Sequence, residues 1–417
     1  MTGPTDLPSL PDARLAGLRA EAETLQSATV ELRRDLHRYP ERGLQLPRTQ
    51  EKILQALDGL PLEITRGKST TSVTAVLRGG QPGPAVLLRA DMDALPLQED
   101  TGVEYASTVE GSMHACGHDA HTAMLVSAAK LLTRHADELA GSVVFMFQPG
   151  EEGFHGARHM IHEGVLDAAG ERVERVFGLH IIANMPAGQI QTRPGPLMAS
   201  ADTFSVQVIG KGGHGSAPHH TIDPIPAAAE MVGALQTLIT RRVSVFEPAV
   251  LSVTRIAAGT TTNIVPETAE LEGTIRTLSE STRAFVRAEL PKVCEAVGTA
   301  HGCRVYADIE PGYPVTVNDP LEAGRALALA REVLGEDQAV VMRDPIMGAE
   351  DFSYVLQRVP GAFAFVGGCP PDTEPDEAAA NHSNRVTYDE SAFSAGVAMH
   401  AAFALDALRP PHRTLAG

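Results

Sequence analysis

The chain has 417 residues, with 34 Lys+Arg against 52 Asp+Glu and a formal net charge of -18. Its length fits two domains or one large one, and 43% hydrophobic with 21% charged residues is a globular composition with ample core material. The acidic balance argues against a nucleic-acid or anionic-membrane surface, because phosphates are repelled, and no apolar run approaches the ~20 residues that span a bilayer.

In chain order, residues 15–36 have helical spacing and stop before Tyr39-Pro40, where proline disfavours continuation. Short apolar runs at 84–89, 142–147, 175–179 and 362–366 read as buried strands, and 119–132, 157–163 and 391–408 as helices. Continuous apolar strands between helices predict an α/β fold with a mostly parallel sheet and helices on both faces. Near residue 200 the pattern changes. Residues 203–209 alternate with period two, followed by a helix at 226–240, strands at 249–256 and 269–277, a helix at 281–300 and a strand at 304–309. That βαββαβ order is ferredoxin-like. The expected organisation is a larger domain formed by 1–199 and 312–417, interrupted by an inserted α+β domain at 200–311.

The first ten residues are polar and Pro-rich, without the basic and apolar regions of a signal peptide. Four cysteines are too few for a disulfide scaffold and fit a reducing cytoplasm.

In open α/β sheets, ligands bind beyond the carboxyl ends of the strands. Asp91-Met92-Asp93 follows the first apolar strand, Gln148-Pro149-Gly150-Glu151-Glu152 the second and His180 the third, while His114-Ala115-Cys116-Gly117-His118 precedes a helix. Each alone has an ordinary explanation: a capping histidine, a buried thiol, or acids at a helix N-terminus. Their joint occurrence at one edge points to a divalent transition metal held by imidazole, thiolate and carboxylate. Two other motifs fail. Gly210-Lys211-Gly212-Gly213-His214-Gly215 matches a dinucleotide loop, but Pro218, Pro224 and Pro226 follow where a helix must open. There is also no G-x-S-x-G elbow for serine chemistry.

Motifs along nearly the whole chain after about residue 30 carry a family resemblance. They include Arg89-Ala90-Asp91-Met92-Asp93-Ala94-Leu95-Pro96, Met113-His114-Ala115-Cys116-Gly117-His118-Asp119, Gln148-Pro149-Gly150-Glu151-Glu152, Gly178-Leu179-His180, Gly213-His214-Gly215-Ser216-Ala217-Pro218, Gly348-Ala349-Glu350-Asp351-Phe352-Ser353 and Asn381-His382-Ser383. Together they resemble the metal-dependent amidohydrolases that include hippurate hydrolases, N-acyl-amino-acid amidohydrolases and auxin-conjugate hydrolases, within the aminoacylase and carboxypeptidase superfamily.

The resemblance implies two divalent ions (zinc, manganese, nickel or cobalt) held by Cys116, His118, Glu152, His180 and His382. It implies Glu151 as general base, Asp93 as an acid beside the ligands, and His214 as a histidine of the inserted domain that can reach substrate from the neighbouring subunit. Asn263 and Arg276 match substrate-binding positions of that domain, and backbone at Gly348 is a further candidate donor. The implied protein is a homodimer joined through the inserted domain, which serves as lid and dimerisation domain, and the cysteine count above places it in the cytoplasm. Its implied reaction is hydrolysis of the amide bond of N-acyl amino acids. The alternatives are a dipeptidase or carboxypeptidase on the same scaffold, or a metal-binding regulatory protein without turnover. Glu151 speaks against the last, since a binding-only site needs no base.

Overall fold

In the computed structural model, which describes residues 14–409, the strand Gln81–Asp91 is buried throughout from Ala85 to Asp91. It runs parallel to Ala140–Gln148 on one side and to Val173–Ile182 on the other, and Val173–Ile182 is parallel in turn to Gly361–Gly367. All seven residues of Gly361–Gly367 are buried, as expected of strands covered on both faces. The helices His118–Arg134, Phe393–Ala407 and Pro320–Leu334 pack against these central strands.

The sheet has eight strands, in the order Leu62–Arg66, Val73–Arg78, Ala140–Gln148, Gln81–Asp91, Val173–Ile182, Gly361–Gly367, Ile190–Thr192, Ala339–Val341. Antiparallel pairing enters towards its margins, where Val73–Arg78 meets Ala140–Gln148 and Ile190–Thr192 meets Gly361–Gly367. Asp91 pairs with Gln148 and His180 with Phe365. The registers therefore bring the carboxyl ends of the central strands to one edge.

The helix expected over 15–36 is two helices, Leu18–Glu23 and Gln26–Arg38. The break falls at Thr24, whose hydroxyl donates back to the Glu21 carbonyl at 2.6 Å, a local bond that competes with helix continuation.

The chain divides into two compact units: one holds residues up to Gly195, Val317–Asp344 and Tyr354 onwards, the other Pro196–Thr316 and Pro345–Ser353. The second unit contains an antiparallel four-stranded sheet in the order Ala249–Ala258, Thr268–Thr277, Asp202–Ile209, Arg304–Pro311. Numbered along the chain this is 2-3-1-4, the ferredoxin-like arrangement that the βαββαβ order predicts. Asp202–Ile209 alternates buried and exposed residues, and Phe204, Val206 and Val208 share a core with Met231, Leu235, Val286 and Leu290 of the two helices. Those helices begin at sequence-encoded caps: Asp223 accepts from Ile225 N before Pro224, and Ser279 accepts from Thr282 N.

Candidate metal centre

Three strand ends, one helix start and a loop from near the end of the chain build the site in the larger unit. Gly117 caps the helix His118–Arg134 with φ 81°. A Cβ there would fall 2.3 Å from Ile181 Cγ2, so only glycine lets the Cys116 turn approach the end of Val173–Ile182 this closely. The Cys116 sulfur consequently lies 3.3 Å from His180 Nε2. His382 comes from a distant loop with φ 69°, a left-handed conformation uncommon outside glycine. Its backbone N–H donates to Ala115 O at 2.8 Å. Its Nε2 lies 3.2 Å from Cys116 Sγ and 3.2 Å from Glu152 Oε1.

Asp93 shapes the acidic turn. Its two carboxylate oxygens accept the backbone N–H groups of Glu151 at 2.9 Å and Glu152 at 3.0 Å. One of those oxygens is also 3.4 Å from His118 Nδ1, leaving His118 Nε2 between Asp91 Oδ2 at 3.6 Å and Glu152 Oε1 at 4.0 Å. Possible ligand atoms of Cys116, His118 and His180 lie within 4.8 Å of one another, and so do those of Cys116, Glu152 and His382, and of His118, Glu151 and Glu152. The structure thus brings together Cys116, His118, Glu151, Glu152, His180, His382 and Asp93.

The electrostatics suit a cation. Burial pulls His180 well below the ordinary histidine value, so its ring is a neutral, ligand-ready imidazole. Burial opposes charge on His118 too, but Asp91, Asp93 and Cys116 outweigh it and hold its proton well above the ordinary value. Contacts with Cys116 and then Glu152 push His382 up to about 10. Glu152 is raised by burial but held low on balance by His382 and His118. Both ring nitrogens of His118 are buried without a well-formed hydrogen bond. A buried polar group left so is costly, and a divalent ion satisfies it. Thiolate, imidazole and carboxylate are the donor set of such an ion, so the residues fit the group. Because cation binding replaces the raised ring protons of His118 and His382, it releases them.

Two neighbours stand behind these residues: Asp91, which the sequence places at a strand end without a role of its own, and His121, which the sequence reading missed. Asp91 is fully buried, its carboxyl raised by burial but held well below the usual range by Arg89, His118 and His121. His121, one turn beyond His118, is likewise buried. The i, i+3 spacing of His118 and His121 on one helix was the available signal.

His214, Asn263, Arg276 and Gly348 belong to the other unit. His214 is exposed on the two-residue strand Gly213–His214, paired with Ile264–Val265, and its Nδ1 lies 2.8 Å from the Ser216 hydroxyl. No α-helix opens at Gly215: a short 3-10 turn, Pro218–His220, comes next and the following α-helix starts only at Pro224, which agrees with rejecting a dinucleotide loop. Asn263 O accepts from Gly215 N at 2.8 Å, placing Asn263 beside that turn. Arg276 is half-buried opposite Val250. Burial pulls its guanidinium below the ordinary value, opposed by Asp202. The Gly348 carbonyl accepts from Ala199 N at 2.9 Å.

Residues 87–406 match Peptidase family M20/M25/M40. The chain is 38% identical over 401 residues to thermostable carboxypeptidase 1 of Saccharolobus solfataricus, covering 93% of this chain and 97% of that one. It is 40% identical over 315 residues to an N-acyl-L-amino acid amidohydrolase of Geobacillus stearothermophilus, covering 74% and 84%. Among solved structures, a dinuclear metal-binding peptidase from the M20 family of Bacillus subtilis superposes with a TM-score of 0.79 at 34% identity, covering 93% of this chain and 99% of the other.

Proposed function

The chain belongs to Peptidase family M20/M25/M40, and from that premise we propose that it hydrolyses N-acyl amino acids to a carboxylic acid and a free amino acid, with two divalent ions in each subunit. It is a metal-dependent hydrolase acting on amide bonds. The observation that carries the finer reading is the adjacency of Glu151 and Glu152 on the turn held by Asp93, beside Cys116, His118, His180 and His382. A centre with its own neighbouring base is built for turnover.

In this reading Cys116, His118, Glu152, His180 and His382 hold the ions, which when bound polarise the scissile carbonyl and acidify the attacking water. Glu151 takes the proton of that water at a carboxylate oxygen and returns it to the leaving nitrogen. Asp93, through the backbone of residues 151 and 152, keeps the two carboxylates in their separate roles. His214 donates to the carbonyl oxygen as negative charge develops there. Arg276 pairs with the free carboxylate of the amino-acid part, assisted by Asn263 and the Gly348 backbone. The second unit acts as lid and joins two subunits, and the enzyme works in the cytoplasm.

The relatives also include carboxypeptidases, which makes a peptidase reading the competitor; it differs only on the acyl side of the bond. Turnover of a panel of N-acyl amino acids and dipeptides, with and without chelator, separates the two. Preference for dipeptides would overturn the proposal, and turnover unaffected by chelator would overturn the metal assignment.

A further inference from the structure

Behind the candidate ligands lies a chain of buried contacts that the reaction above does not use. Arg89 Nη1 donates to Asp91 Oδ2 at 2.7 Å, and Arg89 Nε to Gln148 Oε1 at 3.0 Å. The other Asp91 oxygen, Oδ1, lies 2.5 Å from His121 Nδ1. The Ile181 backbone N–H donates to His121 Nε2 at 2.7 Å, and the Ile181 carbonyl accepts from His180 Nδ1 at 2.8 Å. Arg89 and Asp91 are 0% exposed and His121 is 1% exposed.

These contacts determine the tautomers. A backbone N–H only donates, so His121 Nε2 is an acceptor without a proton. The proton of a neutral His121 ring therefore sits on Nδ1 and points to the Asp91 carboxylate. In the same way the Ile181 carbonyl only accepts, so the His180 proton sits on Nδ1. That leaves His180 Nε2 as the bare nitrogen beside Cys116. The Ile181 backbone is thus gripped at its N–H by His121, and its carbonyl, in the next peptide plane, accepts the His180 proton and sets the plane of that ring. The two rings meet edge to face with centroids 4.6 Å apart.

We propose that Asp91 and His121 form a positioning pair that fixes the Ile181 backbone and, through it, aims Nε2 of His180 at the metal. The inference rests on His180 being a ligand. It assigns Asp91 a task distinct from that of Asp93: Asp93 shapes the Glu151–Glu152 turn, whereas Asp91 acts through His121 on the end of Val173–Ile182. It also explains why a carboxylate is kept fully buried there. A fixed, charged acceptor holds the Nδ1–H tautomer of His121, and Arg89 compensates the charge.

The test compares two polar replacements. Asparagine places a polar atom near the position of Nδ1 and glutamine near that of Nε2. His121→Gln keeps an acceptor for Ile181 N, and His121→Asn does not. Chelated apoproteins, checked by thermal melting, are titrated with Co2+ and followed by calorimetry and by thiolate-to-cobalt absorption. His121→Asn is expected to lose about 10–100-fold in affinity, the usual cost of removing an outer partner of a ligand, with a changed cobalt spectrum. His121→Gln, which keeps the Ile181 contact but not the one to Asp91, is expected to lose no more than Asp91→Asn does, and Asp91→Asn to give a smaller loss than His121→Asn that is not additive with it. Equal affinities for His121→Asn and His121→Gln would overturn the proposal, and so would wild-type affinity in both His121→Asn and Asp91→Asn. His180→Ala is the control for the underlying reading. If it keeps full cobalt affinity, the ligand assignment falls and the positioning pair with it. If it loses cobalt while the His121 variants do not differ, only the pair falls.

Discussion

The sulfur of Cys116 lies 3.2 Å from Nε2 of His382 across 266 residues of chain. The contact ties the helix-start turn to a loop whose left-handed histidine costs on the order of 1–3 kcal/mol of backbone strain. Such strain persists only where the surroundings enforce it, here through the Ala115 carbonyl and the Asn381 amide, which donates to Ile181 O at 2.9 Å. Cys116 is therefore the residue at which the contributing segments meet.

Cys116→Ala is expected to lose metal and activity together. The other three thiols are not thiolate donors: burial pushes Cys294 up to about 12 and raises Cys303 and Cys369. Metal ligation needs the thiolate, so alanine at each of those positions should leave metal content unchanged. Elemental analysis of the purified variants decides, and full occupancy in Cys116→Ala would remove the sulfur from the site.

The adjacent acids should separate cleanly. Glu151→Gln is expected to keep metal and substrate binding while kcat falls by about 10²–10⁴, the range of a positioned acid/base. Glu152→Gln is expected to lose metal, since its Oε1 is the atom beside His382 and His118. Equal metal content in the two variants would contradict this division.

Stability should fall in mild acid through His400. Burial holds this histidine, 1% exposed, down to about 3. Because its folded value is below its unfolded one, the unfolded chain binds the extra proton first. Its contribution is complete above about pH 6.5 and is lost as pH falls from there towards 3. Between pH 7 and pH 5 this amounts to about 2 kcal/mol. Denaturant titrations of the wild type and His400→Leu at both pH values should show a pH-dependent loss smaller by that amount in the variant. Identical differences would show that His400 is charged or water-accessible in the folded state.

The parts of this architecture that local pattern reveals are those where one face of an element is buried. Central strands such as Gly361–Gly367 read directly as apolar runs, and the alternation of 203–209 marked the change to a half-open sheet. Leu62–Arg66, largely exposed and at a margin, carries no such signal. At the site, residues in or just after the last residues of strands were legible because the fold class says where strand ends meet: Asp93, Glu151 and Glu152 beyond their strands, and His180 within the end of Val173–Ile182. His382 was not, because its position depends on a loop returning through a left-handed turn, and it entered only through family resemblance. Asp91 and Asp93 looked alike as neighbouring acids. Only the side-chain directions distinguish the one that faces His121 from the one that holds the acidic turn.

If the exposed His214 acts across a dimer, mixing His214→Ala subunits with Glu151→Gln subunits should restore activity above that of either parent. Each mixed dimer would then hold one site built from two intact halves. Mixed dimers verified by mass and showing no recovery would place His214 in its own subunit's reaction or outside it.

Recognition of the substrate carboxylate is the remaining expectation. On a chain of net charge -18, an anionic amino acid needs a local cation to hold it against the general field. Arg283 cannot serve, because its guanidinium is committed to Asp202 at 2.8 Å and to Glu280 at 3.2 Å. Arg276 is half-buried on the strand Thr268–Thr277, and Asp202 raises its value through charge alone, with no hydrogen bond between them. Partial burial strengthens any carboxylate pairing by excluding solvent screening, and the planar guanidinium allows that pairing to be bidentate. Arg276→Met should therefore raise KM strongly for N-acyl amino acids and far less for their carboxamide analogues, with kcat little changed. Steady-state kinetics on matched acid and amide substrates measures both, and equal losses on the two would make Arg276 a structural residue of the sheet.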